Sequence, residues 1–293
     1  MVSNQLHPLI TLLKEIAFTR NYLQMDETTL QVLDEPGRPA TSKSFMWVMS
    51  SPIDNIYLYH YAPTRSGDIP AMLLEGYQGL LQVDGYDGYN QAVVAYGLTR
   101  LGCWMHARRD FFEASKSKQS QKIGNYALKL IKKIYKIEER IKDETPENRL
   151  LVRRQESLPI ALELKTWCEE EKSRVTPTSY GGQAINYLLN EWIYLERCFH
   201  HGNVSLDNGN VERHIRPFAI GRNNWLFADT VSGAHASATL YSLQVTAVAN
   251  GHNPEKYFEM VFTKLPLAQT EQDFLDLLPL KKIPPLDLEP PPN

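Results

Sequence analysis

The sequence predicts an α/β fold: a mixed sheet with flanking helices, interrupted by an all-helical insertion. Three observations predict it. Three segments with period-2 apolar alternation, around residues 22–33, 45–49 and 56–61, follow one another through short connections. A short apolar run, Leu80 to Val83, ends in Asp84 and Gly85 and reads as a buried strand, Leu80–Asp84. From Ser115 to about Asn203 the spacing turns helical and no strand pattern appears.

Taken in order, Leu6, Leu9, Ile10, Leu13, Ile16 and Ala17 are spaced as one face of a first helix. Leu23 and Met25 alternate with Gln24 and Asp26 in the first strand. Asp34-Glu35-Pro36-Gly37 turns the chain into a second strand carrying Phe45, Trp47 and Met49. Pro52 closes that strand, and Ile56 to Tyr61 forms a third, which makes an antiparallel meander. Ser66 caps a helix through Met72 and Leu73 to Gly76. The Leu80–Asp84 strand follows, then a helix from Gly88 to Tyr96 capped by Asp87, a strand near Leu98 to Trp104, and a helix from His106.

Strand, strand, strand, helix, strand, helix, strand, helix is the order of a ribonuclease H-like fold. In it the first and fourth strands lie side by side and parallel. Asp26 on the first and Asp84 at the end of the fourth would then be neighbours.

Beyond the insertion, Asp207-Asn208 opens a helix whose buried side is Val211, Ile215 and Phe218, with Pro217 expected to end or kink it. A small-residue helix runs from Ser232 to Asn250 and meets Gly251 at its C-terminus. Asn253-Pro254 starts a last helix to about Lys264. The expected divisions are an N-terminal helix (1–20), a first part of the core (21–114), the helical insertion (115–205), a core completion (206–265) and a proline-rich tail (266–293).

Composition narrows the function. With 43% hydrophobic and 22% charged residues over 293, the chain is globular and long enough for one or two domains. Its net charge of -3 means that any nucleic-acid contact must use local patches. Three irregularly spaced cysteines make no disulfide framework and fit a reducing cytosol. No apolar run reaches the roughly 18 residues of a membrane span, and the first residues lack signal-peptide features.

Asp84 sits where a strand leaves the sheet, a position suited to holding a hard cation. Asp26 lies on another strand. Glu212, on the helix that returns after the insertion, is the best third acid, and three carboxylates on separate elements suit a two-metal phosphoryl-transfer site. Glu27 follows Asp26 directly and should face the other side of the sheet. The bland reading of Glu212 is an ion pair with Arg216 four residues on. Arg108, Arg109, Arg213, Arg216 and Arg222, with His106, form a candidate phosphate-contacting surface. Trp225 and Phe227 are either core or a stacking surface for an unpaired base. Cys103 reads as a buried thiol rather than a zinc ligand.

Several stretches resemble the insertion sequence 66 family of DDE transposases: Tyr22-Leu23-Gln24-Met25-Asp26-Glu27-Thr28, Leu81-Gln82-Val83-Asp84-Gly85-Tyr86, Gly102-Cys103-Trp104-Met105-His106-Ala107-Arg108-Arg109, Asp207-Asn208 through Glu212-Arg213 to Arg216-Pro217, and Gly221 to Ala228. The resemblance implies that Asp26, Asp84 and Glu212 are the acidic triad of a ribonuclease H-like catalytic domain. It also implies magnesium, with manganese as a substitute, and cleavage and joining of DNA at element ends and target. A homo-oligomer on DNA in the bacterial cytoplasm is the expected form. Family members carry a long region ahead of this domain, where this chain has only Met1 to Arg20. The alternative expectation is therefore a truncated, non-catalytic DNA-binding or interaction module.

Overall fold

The computed structural model describes residues 5–281. The first four residues and the proline-rich stretch from Ile283 lie outside the described residues. The chain divides into two compact units. One comprises residues 1–81, 87–99 and 210–293, the other residues 82–86 and 100–209.

In the first unit, α1 (His7–Phe18) buries Leu9, Leu13, Ile16 and Ala17, the helical stripe read from sequence. Strands β1 (Tyr22–Asp34), β2 (Lys43–Ser51) and β3 (Ile56–Ala62) form the expected antiparallel meander. Asp26 pairs with Val48 and Glu27 with Trp47 across β1 and β2. After α2 (Asp68–Leu73), β4 (Leu80–Gln82), α3 (Tyr89–Tyr96) and β5 (Thr99–Leu101) complete the strand order β3-β2-β1-β4-β5. The expected adjacency of the first and fourth strands is present.

Two boundaries differ from the sequence reading. β4 ends at Gln82, so Asp84 stands beyond the strand in the following turn. The cap of α3 is Gly88 rather than Asp87, and it makes no side-chain capping bond. Asp87 instead accepts the backbone N–H of Asn90 through its carbonyl at 2.9 Å.

The helix that returns to this unit, α10 (Gly209–Trp225), does not end at Pro217 but runs on through it. Proline removes the N–H that Arg213's carbonyl would accept. Both residues are exposed, so water can serve that carbonyl. Beside it, the hydroxyl of Tyr59 donates to the carbonyl of His214, which braces the loosened turn from the sheet side.

A short strand that the sequence did not announce, β6 (Ala228–Thr230), pairs parallel with β1 at Val32 and Asp34. It leads into α11 (Val231–Ala249), capped by the Thr230 hydroxyl. The main core lies on one face of the meander. Leu30, Val32, Met46, Val48, Tyr57, Tyr59 and Tyr61 meet Val211, Ile215 and Phe218 of α10 and Ala234, Ala238 and Val245 of α11. On the opposite face Trp47 meets Tyr89 of α3 edge-on at 5.9 Å. α12 (Pro254–Lys264) is capped by Asn253, as its Asn-Pro start requires. Beyond residue 266, α13 (Glu271–Leu275) carries a capping box, and Leu277, Leu278 and Leu280 are buried.

The second unit is helical: α4 (Trp104–Lys116), α5 (Gln121–Arg140), α6 (Pro146–Val152), α7 (Leu158–Lys172), α8 (Tyr180–Asn190) and α9 (Trp192–Arg197). A π-helical turn, Arg153–Ser157, joins α6 to α7. It places Arg153, fully buried, against Glu138 and the carbonyls of Cys198, His201 and Val204. A buried guanidinium is tolerated only when its donors are met in this way. Among the described residues no helix is long and apolar enough to cross a membrane.

His60 on β3 is pushed down to about 4 by burial, with repulsion from His235 and Lys14 adding to it. The unfolded chain takes this proton near pH 6.5 while the folded chain resists it. Stability present above pH 6.5 should fall as pH drops from 6.5 toward 4. Denaturant unfolding across that window should show the loss, and His60→Gln should flatten it.

Candidate functional site: carboxylates on β1, α10 and the β4 turn

Asp26 occupies the middle of β1, half-buried, on the face that carries the core. Its partner Val48 lies in that core beside Val211 and Ile215, so the Asp26 side chain leaves the sheet toward α10. One carboxylate oxygen accepts the N–H of Glu27 at 2.9 Å. Glu27 points to the opposite face, as alternation demands. There Tyr89 donates to it at 2.7 Å and Arg65 forms an ion pair with it.

Two anchors on β1 align α10 with that strand. The buried amide of Gln24 accepts the N–H of Val211 at 3.3 Å and donates to the Tyr22 oxygen at 2.7 Å. At the other end of the helix, the Arg222 guanidinium donates to the hydroxyl of Thr29 at 2.9 Å and to that residue's carbonyl. The lengths agree. Val211 to Arg222 is about 16 Å at about 1.5 Å per helical residue, and Gln24 to Thr29 is about 16 Å at about 3.3 Å per strand residue. Asp26 therefore falls between the two anchors. Glu212 follows Val211 in the first turn of the helix, half-buried.

Aromatic residues of β3 hold that first turn. Tyr57 donates to the Asn210 side chain at 2.6 Å and stacks on His214 with ring centres 3.9 Å apart. Burial raises the Tyr57 phenol to about 12, against the opposing effects of Asn210, Arg213 and Ser50. Burial lowers the His214 imidazole, the Asn210 carbonyl raises it, and Arg213 adds repulsion. Burial therefore favours the neutral form of His214, which packs as an aromatic ring against Tyr57.

Asp84 belongs to the second unit and is placed by different means. Its carboxylate accepts the N–H of Tyr86 at 3.0 Å, closing an Asx turn. Its carbonyl accepts Arg100 at 2.7 Å. Arg100 is itself buried, paired with Glu191 at 2.9 Å and lying over the Tyr194 ring. Gly85 is needed because Tyr187 occupies the space of a side chain: an added Cβ would stand 2.8 Å from its ring. The Tyr187 hydroxyl is buried without a hydrogen-bond partner among the described residues. Burial raises its pKa, and Cys103, Glu191, Asp84 and Asp110 add to the rise.

On α4, Arg108 and Arg109 are exposed. Burial raises the neighbouring Asp110 carboxyl, with His106 and Arg109 opposing. Cys103 is buried and donates to the Asn208 side chain at 2.9 Å, as the thiol reading expects. Arg213 and Arg216 are exposed on α10, whereas Arg222 is engaged with β1.

Among the described residues no group of three or more His, Cys, Asp or Glu side chains is gathered to hold a metal ion. The donor chemistry of the three acids, oxygen only, is that of a hard divalent ion. Asp26 and Glu212 are organised within one unit and Asp84 within the other.

The chain belongs to the IS66 family of transposases: residues 1–236 match the family itself and residues 242–280 its C-terminal element. It is similar to three uncharacterized proteins of Sinorhizobium fredii. It is 30% identical to y4qI over 87% of this chain and 49% of the relative, and 27% identical to y4hP over 89% and 50%. To y4jD it is 29% identical over 90% and 54%. The chain spans about half the length of these curated relatives.

From the sequence alone Gln24, a polar residue on a strand, reads as solvent-facing, and nothing local signals its burial. Gln24→Leu should leave the Val211 N–H without its acceptor and cost about 1–3 kcal/mol in denaturant unfolding. It should also weaken whatever activity depends on Glu212.

Proposed function

We propose that this chain carries a ribonuclease H-like catalytic domain that cuts and rejoins DNA strands, with Asp26, Asp84 and Glu212 as its acidic triad. One observation carries the reading. The Gln24 amide docks the first turn of α10 on the face of β1 from which Asp26 projects, so the helix that carries Glu212 lies on the side of the sheet that Asp26 faces. Membership of a transposase family supports DNA as the partner.

Asp26, Asp84 and Glu212 would hold a divalent metal, magnesium or manganese, which would supply charge neutralisation at the phosphoryl group and acidify bound water. The protein's own part is positional. The sheet and the Asx turn orient carboxylates, and Tyr57 and Tyr59 brace the helix that presents Glu212. Exposed Arg213, Arg216, Arg108 and Arg109 would contact phosphates. Arg222 would act mainly by holding α10 to β1. Assembly on element ends and target DNA as a homo-oligomer fits this chemistry.

Asp26→Ala, Asp84→Ala and Glu212→Ala should each lower metal-dependent cleavage of labelled DNA by at least about 10²–10³-fold, with melting temperatures close to that of the unaltered chain. Cleavage retained in Asp84→Ala would overturn the triad. Arg216→Ala should weaken DNA binding across sequences and reduce the slope of log affinity against log salt by about 0.9.

A further inference from the structure

The end of α10 exposes apolar side chains in a fixed shape. Trp225 turns inward and meets Phe218 edge-on at 5.3 Å. Gly221 permits this, since a Cβ there would come 2.7 Å from the Tyr241 hydroxyl and 3.0 Å from the Trp225 indole nitrogen. With Trp225 seated, the backbone reverses hand. Leu226 has φ +64° and is 62% exposed, and Phe227 is 40% exposed. A leucine in the left-handed region is strained, and such strain persists only where the surroundings impose it.

The surroundings here do impose it. The Leu226 N–H donates to the Arg222 carbonyl at 2.7 Å and the Phe227 N–H to the Trp225 carbonyl at 2.8 Å. On one side Arg222 is tied to Thr28 and Thr29, and on the other Ala228 pairs with Val32. The Leu226-Phe227 tip is thus clamped to β1 at both ends and projects its side chains into solvent.

Its charge setting selects the occupant. From Arg213 to Thr230 the chain carries two exposed arginines, Arg213 and Arg216, besides the β1-bound Arg222, and one acid, with Asn223 and Asn224 exposed beside the tip. Arginines that meet phosphates next to an adjacent leucine and phenylalanine match a nucleic-acid strand, whose bases lie within reach of its backbone. We infer that Leu226 and Phe227 form a wedge that enters a base step of bound DNA, with Phe227 stacking on the base it unstacks. The inference rests on the transposase reading for its partner and adds a base-unstacking function to it. It assigns Trp225 to the core and gives the stacking role to its exposed neighbours.

The test uses the full chain and a short duplex with 2-aminopurine at a mismatched step, reading probe fluorescence for unstacking and anisotropy for binding. The unaltered chain should raise the fluorescence on binding. Phe227→Ala should remove most of that rise and weaken affinity about 5- to 100-fold, with the salt slope unchanged, and Phe227→Trp should restore it. Leu226→Gly suits the left-handed backbone, so it should keep or raise the melting temperature while diminishing the rise. Binding without a fluorescence rise, or a full rise in both Phe227→Ala and Leu226→Gly, overturns the wedge and leaves the acidic triad standing. A Phe227-dependent rise in a chain whose acid variants cleave normally supports the wedge and overturns the triad. Absence of DNA binding overturns the wedge, as does Phe227-dependent attachment to anionic vesicles or self-association in its place.

Discussion

A single buried amide governs the first unit. Gln24 carries the hydrogen bond that brings the N-terminus of α10 to β1, in a position with no access to water. An unmatched donor there would cost more than a typical hydrogen bond contributes, which makes the contact a strong constraint on register. Once Val211 is held at Gln24, the equal lengths of the helical and extended spans bring Arg222 to Thr29. The orientation of Asp26 and Glu212, the seating of Trp225 and the pairing of β6 with β1 all follow from that alignment.

The second unit relies on buried guanidinium groups instead. Arg100 ties the Asp84 carbonyl to Glu191, and Arg153 gathers Glu138 with three backbone carbonyls. Burial of a charge is costly unless it is paired and hydrogen-bonded. These arrangements are therefore rigid or absent, with little between. Asp84 owes its place to such a point, because it stands in a turn beyond the strand rather than on it.

The acids and the apolar tip have different physical origins. Each acid is placed by hydrogen bonds and ordinary backbone geometry. The tip is placed by a left-handed leucine between two clamps, and local preference opposes that conformation. Sheet, helix ends and turn together convert local strain into a fixed surface shape. Tyr57 and Tyr59 contribute through their rings to the core and through their hydroxyls to α10, so packing and polar alignment share the same side chains.

Much of this was legible in the residues. Period-2 alternation in Leu23 and Met25 or Phe45, Trp47 and Met49 marks strands, because it places apolar groups on one pleated face. The separation of Glu27 from Asp26 follows from the same rule. Asn253-Pro254 marks a helix start because the cap and the fixed proline φ act locally. The three acids stand in recognisable motifs. What the residues left open was non-local. Pro217 predicts an end or a kink; α10 does not end there, with the unmatched Arg213 carbonyl on its exposed side and Tyr59 holding the neighbouring His214 carbonyl. β6 is too short to carry a pattern, and Gln24 gains meaning only from Val211, far along the chain. The sequence by itself determined most element types and the family, since these depend on neighbours in the chain. Only the tertiary structure decided which face Asp26 takes, that Trp225 packs partly buried against the core while Leu226 and Phe227 project, and which polar groups are matched. Those outcomes depend on contacts between segments that no local pattern encodes.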